Sequence, residues 1–317
     1  MSRSTRSFLV LLAVATLVLP SAAEDLDELL AQVGEDYAQG YVAPLIHAFG
    51  ANQNSALYHT ANIPNTGFTF SVGIKVMGTN LNEDDQTFRA VMEDVELSNF
   101  LPETHPFYDA SGDVVMSGPT VFGDDETPGT LTAYAGGLPV YQIETITGLV
   151  DTRWVPLAAP QLEVGGIAGL RASLRWLPSM DTGEYGETSY MGFGASWSPN
   201  FLLKKPLPVD VMVGFFTQNI DVGDIVETEA TSIYLAASRD FGPLTGYAGV
   251  AKESSSMKVA YTFDEVGFDP VDVAFEVDGE MENRLTLGAT LNAPVKLNAE
   301  INVGTLTVFS AGLMFGM

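Results

Sequence analysis

The sequence predicts an all-β protein, an antiparallel transmembrane β-barrel of about 14 strands (roughly 12–16) preceded by a short N-terminal helical segment. Three observations predict this class: an export signal, apolar–polar alternation from Thr66 to the last residue, and the absence of cysteine. Successive side chains of a strand point to opposite faces, so alternation gives one apolar and one polar face. An exported chain without disulfides needs hydrogen bonds and packing to hold it, and a closed barrel supplies both without a free edge.

Residues 1–23 have the features of a cleaved signal peptide. Arg3 and Arg6 precede an apolar run at 8–19, and small residues up to Ala23 suit cleavage there. The run has about a dozen residues, whereas a membrane-spanning helix needs ~20. No later stretch approaches that length without polar interruption. A mature chain that spans a membrane must therefore do so as a closed barrel, which satisfies its own backbone hydrogen bonds.

Residues 24–60 are predicted to form a helical segment that differs from everything after it. Its apolar residues follow the spacing of one helical face, and they are Leu26, Leu29, Leu30, Val33 and Tyr37. Gly40 and Pro44 are predicted to end this helix, with a second short turn at 45–49. Because a short amphipathic helix needs an apolar surface to cover, we favour a plug inside the barrel lumen over a periplasmic leader.

Residues 61–317 contain the predicted barrel strands. The clearest alternation lies at 68–76, at 162–178 and in three strands after 283. In the C-terminal strands the odd positions, such as Leu287, are apolar and are assigned to lipid, while even positions such as Thr286 are assigned to the lumen. Further candidates are 189–197, 208–218, 231–239, 244–252, 257–263 and 271–277, with weaker ones at 86–96, 129–135 and 143–152.

The connections between these strands predict an orientation. Counting back from a last strand that ends in the periplasm places 79–85, 179–187, 219–230 and 278–282 outside the cell, and all four are acidic. The opposite connections are mostly short turns. The same count places the long acidic segment 98–128 on the periplasmic side. Either the strand count is wrong or this segment folds into the lumen.

The charge of the chain excludes several kinds of partner. Forty acidic and 14 basic residues give a formal net charge of −26. Such a chain repels nucleic acid phosphates and anionic lipid headgroups. Solvated loops are the simplest explanation of the acids, and an acidic vestibule that favours cations is the alternative.

Charged residues on one long strand point to the lumen. Glu163, Arg171 and Arg175 share the face opposite the apolar one, and a charge in the lipid at mid-membrane would cost about 2–4 kcal/mol. Two hypotheses remain open. These residues form an internal salt-bridge network with acids such as Asp210 and Glu300, or they form a charged constriction that selects solutes.

No motif in the sequence indicates catalysis, a metal site or a cofactor. His47, His59 and His105 lack helical metal-site spacing, and no Gly-x-Ser-x-Gly elbow occurs. The acidic groups at 124–126 and at Asp221 with Asp224 lack EF-hand spacing. We therefore predict a protein that is not an enzyme and binds no metal or cofactor, with a hydrolase at the barrel rim as a distant alternative.

Several short motifs resemble one family. They are residues 41–45, 54–61, 118–123, 156–161 and 170–178, the last reading Leu-Arg-Ala-Ser-Leu-Arg-Trp-Leu-Pro. They resemble a family of bacterial outer-membrane barrels classed as a domain of unknown function. The resemblance implies an outer-membrane barrel and assigns no activity. A leader followed by about 14 strands is also loosely similar to the outer-membrane transporters of long-chain fatty acids and aromatic hydrocarbons, although no site motif transfers from them.

These observations predict a Gram-negative outer-membrane barrel that passes or binds small solutes. Its expected partners are outer-membrane lipid, the barrel-assembly machinery and a small-molecule solute, and nucleic acid is not among them. Two alternatives remain. One is a closed structural or surface-adhesive barrel that works through its acidic loops. The other is an exported soluble β-sandwich, whose strands would also alternate.

Overall fold

The computed structural model describes residues 35–181, 187–202, 207–223, 225–263 and 271–316. The predicted signal peptide and Leu26, Leu29, Leu30 and Val33 lie outside the described residues. Helix α1 spans Glu35–Gln53. The strands are β1 Thr69–Asn80, β2 Thr87–Glu96, β3 Ser111–Pro119, β4 Thr130–Ala135, β5 Leu138–Glu144, β6 Trp154–Ile167, β7 Leu170–Asp181, β8 Glu187–Trp197, β9 Asp210–Val222, β10 Val226–Phe241, β11 Leu244–Phe263, β12 Val271–Asp278, β13 Asn283–Leu291, β14 Val295–Val303 and β15 Thr307–Gly316.

Ten strands form a closed antiparallel ring in the order β1-β6-β7-β8-β9-β10-β11-β13-β14-β15. The ring closes because β1 pairs with both β6 and β15. β12 lies outside the ring: β11 is 20 residues long, and β12 pairs with its second half, beyond the part that pairs with β13. The barrel class is thus confirmed, whereas the predicted count of about 14 barrel strands is not.

The difference in strand number comes mainly from a second sheet. β2, β3, β4 and β5 pair only with one another, in that order. β2 and β4 correspond to the weaker candidates at 86–96 and 129–135, whereas the candidate at 143–152 is wrong, because β5 ends at Glu144 and no strand follows until Trp154. β4 and β5 have six and seven residues, shorter than the ~9–11 that a tilted membrane strand needs. Alternation identified β2 and β4 as strands but did not reveal which sheet they join.

The two ends of the barrel differ. At the C-terminal end, β1 begins and β15 ends, with Ser71 opposite Gly316. At the other end, here called the sheet end, β1 leads into the four-stranded sheet and β6 returns from it, with Asn80 opposite Trp154. The segment 98–128 therefore lies at the sheet end, together with the acidic connections predicted to be extracellular. The strand count places 98–128 at the end opposite those connections, and this is wrong, because β2, which was counted as a barrel strand before it, belongs to the second sheet.

The predicted facing of the C-terminal ladder is confirmed. Leu287 is 50% exposed on the outside of the ring, while its neighbour Thr286 is 3% exposed inside it. Leu285, Leu297, Phe309 and Phe315 follow the same outward pattern. The barrel thus presents an apolar outer face and a polar inner face.

The chain preceding β1 runs through the barrel from the sheet end to the C-terminal end. We call residues 35–65 the lumen segment. Its helix α1 contacts β1, β6, β10, β11 and β12. Its last residues reach the turn between β6 and β7, where the Ala168 amide donates to the carbonyl of Asn65 at 2.9 Å. Among the described residues, no helix is long and apolar enough to cross a membrane.

Helix α1 continues through the two residues that were predicted to end it. Pro44 lies inside the helix, where it removes one backbone hydrogen bond. Gly40 is required by close packing, since a Cβ atom there would lie 2.4 Å from the Phe88 ring. Tertiary contacts on all sides therefore hold the helix where local propensity disfavours it.

Candidate functional site

The end of α1 is held by an arginine from the barrel wall. Arg175 on β7 is fully buried. Its Nη1 donates to the carbonyl of Gln53 at 2.7 Å and its Nη2 to the carbonyl of Ser55 at 2.7 Å. The last carbonyls of a helix have no partner within the helix and carry partial negative charge. Arg175 supplies both the missing donors and the opposite charge.

A second arginine grips the same helix end from β13. Arg284 Nη2 donates to the carbonyl of Ala51 at 2.7 Å, and Nη1 donates to Ser55 Oγ at 2.5 Å. Its Nε and Nη2 also donate to the two carboxylate oxygens of Glu253 at 2.7 and 2.9 Å. This bidentate pair is almost completely buried. Such geometry fixes the guanidinium plane and leaves its remaining donors directed at the helix.

Other strands complete the grip. Gln218 on β9 donates to the Gln53 carbonyl at 2.6 Å. Asn52 donates to the carbonyl of Val155 on β6 at 2.7 Å, and the Ala56 amide donates to Glu300 Oε1 on β14 at 2.8 Å. We call Arg175, Arg284, Gln218 and Glu300 the lumen clamp. Its members come from four strands around the ring, so the helix end is bound from several sides.

Beyond the helix, the lumen segment fills the C-terminal half of the barrel. Tyr58 packs between Tyr234 and Tyr247, with ring centroids 5.1 and 5.8 Å away. Thr60 Oγ1 lies 3.2 Å from Ser238 Oγ. These contacts combine apolar packing with hydrogen bonds.

At the sheet end, the four-stranded sheet and its connections cover the start of α1. The Tyr37 hydroxyl lies 2.8 Å from Thr145 Oγ1, and the Val121 amide donates to the Tyr41 carbonyl at 3.0 Å. Burial raises the pKa of Tyr41 and keeps it neutral. Burial also lowers the pKa of His47, opposed by the nearby carboxylates of Glu280 and Asp85.

The whole chain matches one family model. Residues 1–317 match a family described as "Family of unknown function (DUF6588)". The chain belongs to this family. The predicted resemblance is thereby confirmed. A search of the curated proteins gives no match.

The family's barrel has distant likenesses among solved structures. OmpT, an outer membrane protein of Vibrio cholerae, is 10% identical over 79% of this chain and 100% of its own, with a TM-score of 0.24. OprB of Pseudomonas putida is 11% identical over 79% of this chain and 92% of its own, with a TM-score of 0.20. Neither likeness bears on what this family member does.

Four of the five predicted lumen residues are buried inside the barrel of this family member. Glu163, Arg171, Arg175 and Glu300 are each at most 8% exposed. Arg171 Nε lies 3.9 Å from Glu163 Oε2. Asp210 lies instead at the C-terminal end, partly exposed, where it accepts a hydrogen bond from Asn200 at 2.7 Å. Of the residues predicted for the plug, Tyr37 alone is described, and it is buried.

Sequence reasoning missed several lumen residues. Arg284 and Glu253 form the most deeply buried ion pair among the described residues, and Lys75 is fully buried on β1, where it donates to Asn298 at 2.9 Å. The sequence could have identified Arg284 as a lumen residue, because it occupies an even, lumen-facing position of the C-terminal ladder. Within the described residues, no group of three or more histidine or acidic side chains is arranged to hold a metal ion.

Proposed function

We propose that this protein is an outer-membrane β-barrel that passes or binds small solutes, and that its lumen segment closes the barrel until it is displaced. The observation that carries the proposal is the lumen clamp. Polar barrel residues hold a separate piece of chain by hydrogen bonds to its backbone. Once that piece leaves, the same polar groups can face water, as in aqueous barrels.

The outer face supports placement in a membrane. Exposed aromatic residues border it at both ends, with Trp154 and Phe309 near the sheet end and Trp197, Phe241 and Phe315 near the C-terminal end. From Phe70 to Asn80 strand β1 rises roughly 33 Å, which at a tilt of ~40° spans ~25 Å along the membrane normal. This matches the usual height of the apolar band of an outer-membrane barrel. The closed ring also disfavours the soluble β-sandwich alternative.

A matched pair of substitutions tests this placement. Leu287→Arg should cripple membrane assembly, because a cation on the lipid face at mid-membrane costs about 2–4 kcal/mol. Leu138→Arg should be tolerated, since Leu138 is also exposed, at 69% against 50% for Leu287, but lies on the four-stranded sheet beyond the membrane. Assembly is measured as the fraction of heat-modifiable protein in outer-membrane extracts. Equal assembly of the two variants would refute the lipid-facing assignment.

The dimensions of the lumen suit passage of small solutes after displacement. The last turn of α1 enters the ring at the sheet end, where the Ala48 carbonyl accepts from Thr79 of β1, and Leu57, Tyr58 and Ala61 pack inside the lumen beyond it. Removing the lumen segment therefore leaves an opening about as wide as one stretch of polypeptide. An opening of that size admits ions and small metabolites but excludes folded proteins.

Deletion of residues 24–60 tests the passage directly. The intact protein in a planar bilayer should show little or no steady current, because the lumen segment fills the barrel. The deletion variant, which keeps residues 1–23 for export, should show a persistent current of discrete steps. Folding of both proteins is checked by heat-modifiability. A folded deletion variant without current would rule out passage.

A closed structural or surface-adhesive barrel is the second candidate. The observation that favours it is the four-stranded sheet, which extends the protein at the sheet end and packs over the lumen opening. In that case the sheet and the acidic connections would be the working part. Two results together would favour this candidate. The variant without residues 24–60 would carry no current, and a variant without residues 87–144 would lose cell-surface attachment.

A further inference from the structure

A small cavity opens at the C-terminal end of the barrel, beneath the lumen segment. Its volume is about 310 Å³. The lumen segment contributes His59 and Asn62 to it, and the strands contribute Glu163, Arg171, Asp240 and Lys296. Under the orientation predicted from the acidic connections, this end faces the periplasm. The cavity is then accessible from the periplasm.

The floor of the cavity contains an unsatisfied polar atom. His59 is 3% exposed, and its Nδ1 has no hydrogen-bond partner among the described residues. Glu163 Oε1 lies 3.7 Å from this nitrogen, which is too far for a hydrogen bond. Buried nitrogen atoms in proteins are normally satisfied. An arriving hydroxyl group could hydrogen-bond both atoms, because it has donor and acceptor capacity at one oxygen.

The charges on the floor are already compensated within the protein. Glu163 accepts from Gln161 Nε2 at 2.8 Å and lies 3.9 Å from Arg171 Nε. The Nη1 and Nη2 atoms of Arg171 donate to the carbonyls of Thr60 and Asn62, at 3.2 and 3.0 Å. An ion entering the floor would therefore find no uncompensated charge to pair with. A neutral ligand avoids that desolvation cost.

The mouth of the cavity offers one group of each sign. Lys296 is partly exposed and has no ion pair within the described parts of the chain. Asp240 is exposed and accepts a hydrogen bond from Thr245. An ammonium group only donates and a carboxylate only accepts, whereas hydroxyl groups satisfy both.

We propose that this cavity binds a small neutral polyhydroxylated solute of monosaccharide size. Its volume is at the lower end of the range for ligand sites, which limits the ligand to a single sugar ring or a short polyol. The inference deepens the proposed function by naming a solute class for the periplasmic opening, and it rests on that function and on the orientation predicted from the acidic connections.

Saturation-transfer NMR on the full chain in detergent tests the proposal, with glucose, glycine and acetate as separate probes. Glucose should give a saturable signal, whereas glycine and acetate should not. Lys296→Met should weaken glucose binding about fivefold, the effect of losing one hydrogen bond. Lys258→Met is the matched control. Lys258 is exposed on β11 at the sheet end, far along the strand from the cavity, so its substitution should leave binding unchanged.

The outcomes separate this inference from the proposed function. His59→Phe tests the floor, with heat-modifiability confirming that it folds, and should also weaken glucose binding. Failure of glucose to bind, tighter binding of glycine or acetate, or equal effects of Lys296→Met and Lys258→Met would overturn the sugar site. A conducting deletion variant alongside any of these results would leave the passage proposal intact.

Discussion

Arg284→Met should lower the free energy of unfolding by about 3–5 kcal/mol, the usual effect of removing one partner from a buried ion pair. Glu253, whose side chain is 1% exposed, would be left as an uncompensated buried carboxylate. The Ala51 carbonyl and Ser55 Oγ would each lose the hydrogen bond that Arg284 donates to them. Urea unfolding in detergent micelles, followed by the loss of heat-modifiability, measures the change.

Two further variants show whether the effect of Arg284→Met comes from the buried ion pair. Lys252→Met removes a neighbouring ion pair with Glu282 that is largely exposed, and it should change stability little, because solvent screens the pair. Arg284→Met combined with Glu253→Met should recover part of the lost stability, because no charge remains unpaired. If Arg284→Met were as mild as Lys252→Met, the buried pair would not anchor the lumen segment.

Arg175→Met should open the barrel intermittently. The variant removes the donors to the carbonyls of Gln53 and Ser55, so the end of α1 loses its contacts with β7. In a planar bilayer we expect current bursts that are absent from the wild type. Arg239→Met is the matched control, because Arg239 is exposed on β10 and stacks on Phe241 rather than contacting the lumen segment. If both variants showed current bursts at equal frequency, the bursts would not result from loss of the lumen clamp.

The sequence predicted what depends on local alternation. The barrel class, the outward facing of Leu287 and the burial of Glu163 and Arg175 all follow from the two-residue repeat of a strand. The same repeat did not distinguish ring strands from β4 and β5. That distinction depends on pairing partners far along the chain, which alternation does not encode.

The contacts of the clamp were also beyond sequence reasoning. Arg175 and Arg284 are 109 positions apart, and only the closure of the ring brings them to the same helix end. The continuation of α1 through Gly40 and Pro44 likewise depends on tertiary packing, including Phe88 of the four-stranded sheet, which local propensity does not supply. Such features are decided by tertiary structure rather than by nearby residues.

A reversible lock between the lumen segment and the wall tests the central claim most directly. The chain contains no cysteine, and Thr60 Oγ1 and Ser238 Oγ are 3.2 Å apart, so cysteines at both positions are placed to form a disulfide. The Thr60→Cys/Ser238→Cys pair is introduced into Arg175→Met, and the current is recorded before and after reduction. Closure by the lumen segment predicts silence when the disulfide is formed and bursts once it is reduced. Bursts that persist with the disulfide intact would contradict it.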